Sequence, residues 1–383
     1  MKAIVNGRIV TPWEIVPDQA LLFDGKIRGV AAREQIPHGA EVLDARGGYV
    51  LPGLIDIHIH GYLGQDASDG SYEGLCQMAR GIAANGVTGF LPTTMTVSYG
   101  ELREAFAQIR KLMADSLAPD WNGARALGVN AEGPFINPVR KGAQSGEHIR
   151  EGDAAFLREY ADIIRVFTIA PEMPGNLACI REIASSGMLI AMGHTDANYV
   201  QALAGLEAGV RHMTHTFNGQ GPLNHRDPGA VGVALTDERV SCELIADTVH
   251  IHPGMFRLLA RAKGDKLILI TDCTRAGGLG DGEYTLGGQT IYVKGTECRL
   301  ADGTLAGSVM PFNQALRNMR RNTDLPLHEV VRMATLNPAR AIGVDGEKGS
   351  LEAGKDADIA IVDEEMRVQR TLLGGRTIFD SAK

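Results

Sequence analysis

The residues with the strongest claim to chemistry are two histidines two positions apart. They are His58 and His60, in Leu51-Pro52-Gly53-Leu54-Ile55-Asp56-Ile57-His58-Ile59-His60-Gly61. In an extended strand, residues i and i+2 share a face, so the two imidazoles would project together, away from Ile57 and Ile59. Side by side at the end of a buried strand, they could grip one divalent ion. The pattern equally suits two hydrogen-bonded core histidines, so it gains force only if other strand ends supply more ligands. Glu132 in Asn130-Ala131-Glu132-Gly133-Pro134-Phe135, His194 in Met192-Gly193-His194-Thr195, His215 in Thr214-His215-Thr216-Phe217-Asn218 and Asp272 in Leu269-Ile270-Thr271-Asp272 do so.

Singly, each of these has a plainer reading. Glu132 could be a hydrogen-bonded turn residue, His194 a strand-end turn residue, His215 a satisfied core histidine and Asp272 a helix cap. For His212 the core reading carries most weight. Together, neutral imidazoles and carboxylates suit a divalent metal such as Zn²⁺, with Fe, Mn or Co as alternatives, at one or two ions per chain. Asp272 has a distinct expected role. A carboxylate beside a water acidified by the ion can take its proton and later pass it to a leaving group, which is hydrolysis at a polarised carbonyl.

These residues need a scaffold that brings strand ends together. Apolar strands are expected over 54–60, 87–93, 126–132, 166–170, 189–193, 212–217, 242–246 and 266–271, with helical patterns over 99–114, 177–186 and 200–208 between them. This alternation predicts an α/β fold, a (β/α)8 TIM-like barrel, whose active site lies at the C-terminal ends of the strands. A doubly wound open sheet is the alternative, but its nucleotide-binding glycine fingerprint is absent. Residues 283–300 read as small hairpins, and helices are expected over 310–321 and 328–336.

Both ends of the chain read as β. At the start, Asn6-Gly7 between Ala3-Ile4-Val5 and Arg8-Ile9-Val10, and Asp24-Gly25 between residues 20–23 and 27–30, are two-residue hairpin signals. At the end, strands are expected over 358–362, 367–373 and 376–379. We expect residues 1–50 and 346–383 to form one small β-sandwich domain, with the barrel, residues 51–345, inserted between its halves.

The chain has 383 residues, 44% hydrophobic and 22% charged, ordinary for a globular protein with one large and one smaller domain. A net charge of −8 argues against general nucleic-acid binding, which needs a basic face. The five cysteines, Cys76, Cys179, Cys242, Cys273 and Cys298, are scattered and form no C-x-x-C pair. This reads as a reduced, cytoplasmic protein without a disulfide framework. No apolar run reaches membrane-spanning length and the N-terminus does not read as a signal peptide.

The Pro52-Gly53-Leu54-Ile55-Asp56 lead into His58-x-His60 resembles the amidohydrolase superfamily. The Glu132-Gly133-Pro134-Phe135, Gly193-His194-Thr195, Thr214–Asn218 and Thr271-Asp272 pieces narrow it to the N-acetylglucosamine-6-phosphate deacetylase family. The similarity runs end to end, through Leu305-Ala306-Gly307-Ser308 to the tail Gly354-Lys355-Asp356-Ala357-Asp358, which is generic to the superfamily. The resemblance implies that Glu132, His194 and His215 hold the principal ion, that Asp272 is general base and acid, and that His58 and His60 hold a second ion bridged by Glu132. It implies a phosphorylated amino-sugar substrate contacted by Ala143, Gln144, Asn218, Gly219, His250, Leu305 and Ala306. It also implies that Arg226 binds the phosphate, and that a homodimer lets Arg226 reach a neighbouring site. Two other functions stay open: hydrolysis of another N-acyl amine or cyclic amide, and a metal-binding protein without turnover.

Overall fold

The computed structural model describes residues 1–382. Its centre is a parallel barrel: β1 (Leu54–Ile59), β2 (Val87–Thr94), β3 (Val129–Phe135), β4 (Ile164–Ile169), β5 (Leu189–Met192), β6 (His212–Met213), β7 (Ser241–Ile245) and β8 (Leu267–Ile270). Each strand pairs in parallel with the next. The ring closes where Asp272 N donates to His58 O and His60 N to Cys273 O, both at 2.9 Å. Every residue of β1, β2, β3, β7 and β8 is buried, as expected for strands covered on both faces.

The helices that cover the barrel carry their own start signals. Tyr99–Asp115 opens on a capping box, in which Ser98 Oγ accepts from Glu101 N and the Glu101 carboxylate accepts from Ser98 N. Its buried residues, Leu102, Ala105, Phe106, Ile109 and Leu112, recur at the three-to-four spacing of one helical face. Asn198 and Gln201 make the same reciprocal cap for Tyr199–Ala208.

The two chain ends meet as expected. A six-stranded sheet runs Arg376–Asp380, Val368–Leu373, Ile359–Val362, Tyr49–Pro52, Arg8–Val10, Ile15–Val16, so three tail strands join three head strands in one sheet, at the pairing of Ile359–Val362 with Tyr49–Pro52. A four-stranded sheet, Ile27–Ala31, Ala20–Phe23, Lys2–Val5, Glu41–Asp44, packs on it. Between them lies an apolar cluster that includes Ile4, Ile9, Leu21, Phe23, Val50, Ile359, Ile361 and Leu372.

One turn is corrected. Asp24-Gly25 does close a hairpin, but Asn6-Gly7 does not. Lys2–Val5 pairs with Ala20–Phe23 and Glu41–Asp44, whereas Arg8–Val10 pairs with Ile15–Val16 and Tyr49–Pro52. Asn6, at φ 54°, uses its tolerance of left-handed backbone to pass the chain from one sheet to the other. A second correction concerns β6. It stops at Met213 instead of running to Phe217, and the chain turns through His215 at φ 26° and Phe217 at φ 80°.

Residues 283–300 form the expected hairpins, an antiparallel sheet of Gly282–Leu286, Gln289–Lys294 and Glu297–Leu300. The sheet lies against the barrel mouth, where Gln289 Nε2 donates to Ala143 O at 2.6 Å.

Candidate metal centre

The strand ends converge on Glu132, in β3. His215 Nε2 lies 2.8 Å and His194 Nε2 3.1 Å from its Oε1. His60 Nε2 is 3.2 Å from Oε2 and His58 Nε2 3.5 Å from Oε1. Asp272 Oδ1 lies 3.2 Å from His60 Nε2 and 3.5 Å from His58 Nε2. All six side chains are buried. They form two groups able to hold an ion, Glu132–His194–His215 and His58–His60–Asp272, with the ligand atoms of each group within 4.8 Å of one another.

The backbone is bent to achieve this. His194 at φ 46°, His215 at φ 26° and Asp272 at φ 50° occupy left-handed conformations that L residues avoid. Each costs on the order of 1–2 kcal/mol and persists only where its surroundings over-determine it. They do so here, because His215 N donates to Glu243 Oε2 at 2.8 Å and Asp272 N is held by the barrel closure.

The protons of the rings follow from their partners. His194 Nδ1 faces Arg140 O at 2.8 Å, His215 Nδ1 faces Asn218 O at 2.9 Å and His60 Nδ1 faces Thr93 O at 3.1 Å. His58 Nδ1 faces Glu243 Oε2 at 2.9 Å. A carbonyl or carboxylate oxygen has no proton to give, so every Nδ1 must carry one, and the neutral ring then has a bare Nε2. Four bare nitrogens point at two carboxylates, and His194 Nε2 is 3.2 Å from His215 Nε2. His58 Nε2 is buried without a hydrogen-bond partner. Lone pairs this close repel unless a cation lies among them. Mixed imidazole and carboxylate donors, oriented by bonds to their far nitrogens, are the donor chemistry of a divalent transition-metal site.

The charge balance agrees. Burial alone would raise the Glu132 carboxyl, but His58 and His194 beside it hold it well below the usual range. Burial would depress His60, yet its bonds to Asp272 and Glu132 push it up to about 10. Burial would likewise raise Asp272, and the bond to His60 with the charge of His58 lowers it instead. With no ion among them the carboxylates draw His58, His60 and His194 toward the charged form, the positive charge that a divalent ion would supply in its place.

A cavity of about 230 Å³ opens above this floor. His60, Glu132, His194, His215 and Asp272 line it, together with the expected Ala143, Gln144, Asn218, Gly219, His250 and Leu305. Gln144 is fixed at both ends of its amide, donating to Glu132 Oε2 at 2.6 Å and accepting from Thr96 N at 2.7 Å. Gly219, at φ 64°, passes so close to His194 that a Cβ there would sit 3.0 Å from Nδ1. Three expected residues are not on the wall. His58 lies beneath the floor, fully buried. Ala306 is buried, with its N bonded to Cys298 O at 3.0 Å, while its neighbours Leu305 and Gly307 face the cavity. Arg226 lies on an exposed loop, where its backbone N bonds Asn224 Oδ1 at 3.0 Å. No Lys or Arg lines the cavity among the described residues.

Sequence reasoning missed two acids. Glu243, in β7, is fully buried and bonds His58, His212 and the His215 backbone. Its signal was a charge in the middle of Ser241-Cys242-Glu243-Leu244-Ile245, since a buried charge requires partners. Asp247, three residues before His250, takes His250 Nδ1 at 2.6 Å. Burial would lower that imidazole, and the Asp247 pair raises it. His212 is the core histidine expected, held by Ser241 Oγ at 2.6 Å and Glu243 Oε1 at 3.0 Å.

Residues 49–378 match the amidohydrolase family. The chain belongs to that family. It is 38% identical over 380 residues to the N-acetylglucosamine-6-phosphate deacetylase of Bacillus subtilis (strain 168), covering 97% of this chain and 96% of that one. It is 37% identical over 374 residues to the N-acetylgalactosamine-6-phosphate deacetylase of Escherichia coli O157:H7, covering 96% and 97% of the two chains. Among solved structures, a mutant N-acetyl-D-glucosamine-6-phosphate deacetylase from Mycobacterium smegmatis in complex with N-acetyl-D-glucosamine-6-phosphate superposes with a TM-score of 0.90. That protein is 29% identical, and the match covers 98% of this chain and 99% of that one. Amidohydrolase chemistry, a (β/α)8 barrel and a small β domain follow from these matches.

Proposed function

We propose that the chain is a metal-dependent hydrolase that removes the acetyl group from N-acetyl-D-glucosamine 6-phosphate, giving D-glucosamine 6-phosphate and acetate. The observation that carries this reading is the convergence of four bare imidazole nitrogens on Glu132 and Asp272 at the floor of one cavity, in a chain similar over its whole length to such deacetylases. Glu132, His194 and His215 would hold the principal ion, and His58 and His60 a second one shared through Glu132. Zinc is our choice of ion, with iron, manganese or cobalt the alternatives for a mixed nitrogen and oxygen donor set. Bound there, a divalent ion supplies Lewis acidity, which acidifies water and polarises a carbonyl oxygen.

The chain's own groups do the rest. Asp272, ionised and facing the cavity, takes the proton of the attacking water as its oxygen bonds to the acetyl carbon. His250 gives its Nδ1–H to Asp247, and that pair favours the charged ring, in which Nε2 also carries a proton; this Nε2–H would steady the charge growing on the carbonyl oxygen. As the C–N bond breaks, Asp272 returns its proton to the leaving nitrogen. Gln144, Asn218, Gly219 and the Ala143 and Leu305 backbone would hold the sugar, with Ala306 behind them. The cavity wall offers no cation for a phosphate. We therefore assign that role to Arg226 of a second copy in a homodimer. Arg226→Ala should then raise KM for the phosphorylated substrate and leave turnover of an unphosphorylated N-acetyl sugar unchanged.

We place the boundary between the β-sandwich and the barrel near residues 50 and 346. The five cysteines are free and buried, which fits a reducing, cytoplasmic setting. No helix among the described residues is long and apolar enough to cross a membrane. The similarity to a galactosamine deacetylase favours a second reading, acetyl removal from the 4-epimer. The test is acetate release from both hexosamine phosphates, with metal content measured on the same sample before and after chelation. Turnover of one of them, lost on chelation and restored by a divalent ion, is expected. Bound metal without turnover of either would overturn the substrate assignment.

A further inference from the structure

We infer that Glu243 is a positioning residue that creates the second ion position, by fixing His58 and making its bare Nε2 a stronger donor to a cation; this rests on the two-ion reading above. The four ligand imidazoles are not held alike. His60, His194 and His215 each give their Nδ1–H to a neutral backbone carbonyl. Only His58 gives it to a carboxylate, Glu243 Oε2, at 2.9 Å. A carbonyl sets the tautomer. A carboxylate sets the tautomer and also raises the basicity of the bare nitrogen across the ring, which strengthens its bond to a cation.

Glu243 is itself immobilised. It accepts from three donors: His58 Nδ1–H, His215 N–H at 2.8 Å and His212 Nε2–H at 3.0 Å. The Ser241 hydroxyl, 2.6 Å from His212 Nδ1, can donate there and leaves Nε2–H to point at Glu243. The column Ser241–His212–Glu243–His58 thus runs along the barrel wall and ends at His58 Nε2, the one ligand nitrogen buried without a hydrogen-bond partner. A carboxylate inside β7 with no part in the chemical scheme is explained if its charge serves that nitrogen.

The experiment compares Glu243→Gln with the unaltered chain. A glutamine oxygen can still accept from His58 and His215. Its amide N–H can meet His212 Nε2 once Ser241 and His212 exchange their shared proton, so the fold should persist. Two readouts are taken: metal stoichiometry with stepwise affinities by chelator competition, and the ring-nitrogen NMR shifts of His58 without metal. We expect the weaker ion of E243Q to bind on the order of 10–100-fold less tightly. The tighter ion and the thermal midpoint should be unchanged, and His58 should keep its Nδ1–H. Both ions bound at unaltered affinity would overturn the proposal and make Glu243 a core hydrogen-bonding group. Equal weakening of both ions would also overturn it, since the effect would then not be specific to His58. An unaltered chain that never takes a second ion would instead defeat the two-ion reading on which the proposal stands.

Discussion

The barrel mouth and the terminal β-sandwich are both buried, and they are stabilised by opposite means. The sandwich core is aliphatic and aromatic, with Ile4, Ile9, Leu21, Phe23, Val50, Ile361 and Leu372 closed between two sheets. Its stability comes from apolar transfer, at about 25 cal/mol per Å² removed from water. The barrel mouth buries Glu132, Glu243, Asp272 and five histidines, and holds three of its residues at positive φ. Nothing there gains from leaving water, and each group is tolerated because another group, or an ion, answers it. The contrast teaches where function sits. The region whose local choices oppose folding is the one the rest of the molecule exists to hold.

Where the sandwich does bury charge, the charge is structural. Lys348 Nζ lies 2.7 Å from Asp356 Oδ2 and 2.6 Å from Asp358 Oδ2. Lys26 reaches Asp356 at 2.7 Å, and Asp358 also accepts from Gly374 N at 2.8 Å. The Gly354-Lys355-Asp356-Ala357-Asp358 tail therefore ties head and tail strands to one another and takes no part in the metal centre.

The largest separation of the two regions should come from Asp272→Asn. Turnover should fall on the order of 10³–10⁴-fold, with metal content and thermal midpoint close to those of the unaltered chain. Retained turnover would remove Asp272 from the mechanism. The mirror experiment is Lys348→Ala, which leaves the buried Asp358 carboxylate without a cation, while Asp356 keeps Lys26, and should cost about 3–5 kcal/mol in denaturant unfolding. The folded fraction should bind metal normally. A smaller effect, which would blur the comparison, is expected from Gly219→Ala. A methyl at φ 64°, 3.0 Å from His194 Nδ1, should cost about 1–2 kcal/mol and also weaken the ion held by His194. Loss of stability without loss of metal affinity would show that the loop yields without moving the ring.

Much of the centre was legible because residue type and element type reinforce one another. A histidine or carboxylate at the end of an apolar strand is an anomaly, and several such anomalies in one β/α alternation converge at one barrel mouth. Glu243 was not legible, because an acid within a strand says nothing about which ring it meets across the barrel. Arg226 was assigned to the phosphate by resemblance alone, and its loop does not reach the cavity of its own chain. Asn6-Gly7 misled because its preference for left-handed backbone is real but has two uses. A hairpin and a passage between sheets need the same φ, and only the partners of the flanking strands distinguish them.

The sequence by itself determined the ligand types, the alternation that builds the barrel and the return of the chain to β at its end. These are properties of residues and of spacings within a few positions. Tertiary structure alone decided which nitrogen of each ring is bare, because that depends on Arg140 O, Asn218 O, Thr93 O and Glu243, far apart in the chain from at least some of the rings they face. It also decided that His58 lies beneath the floor and His60 on it. Proton position and exposure are set by what lies within a few ångströms in space, and for His58 that means residues from three different strands.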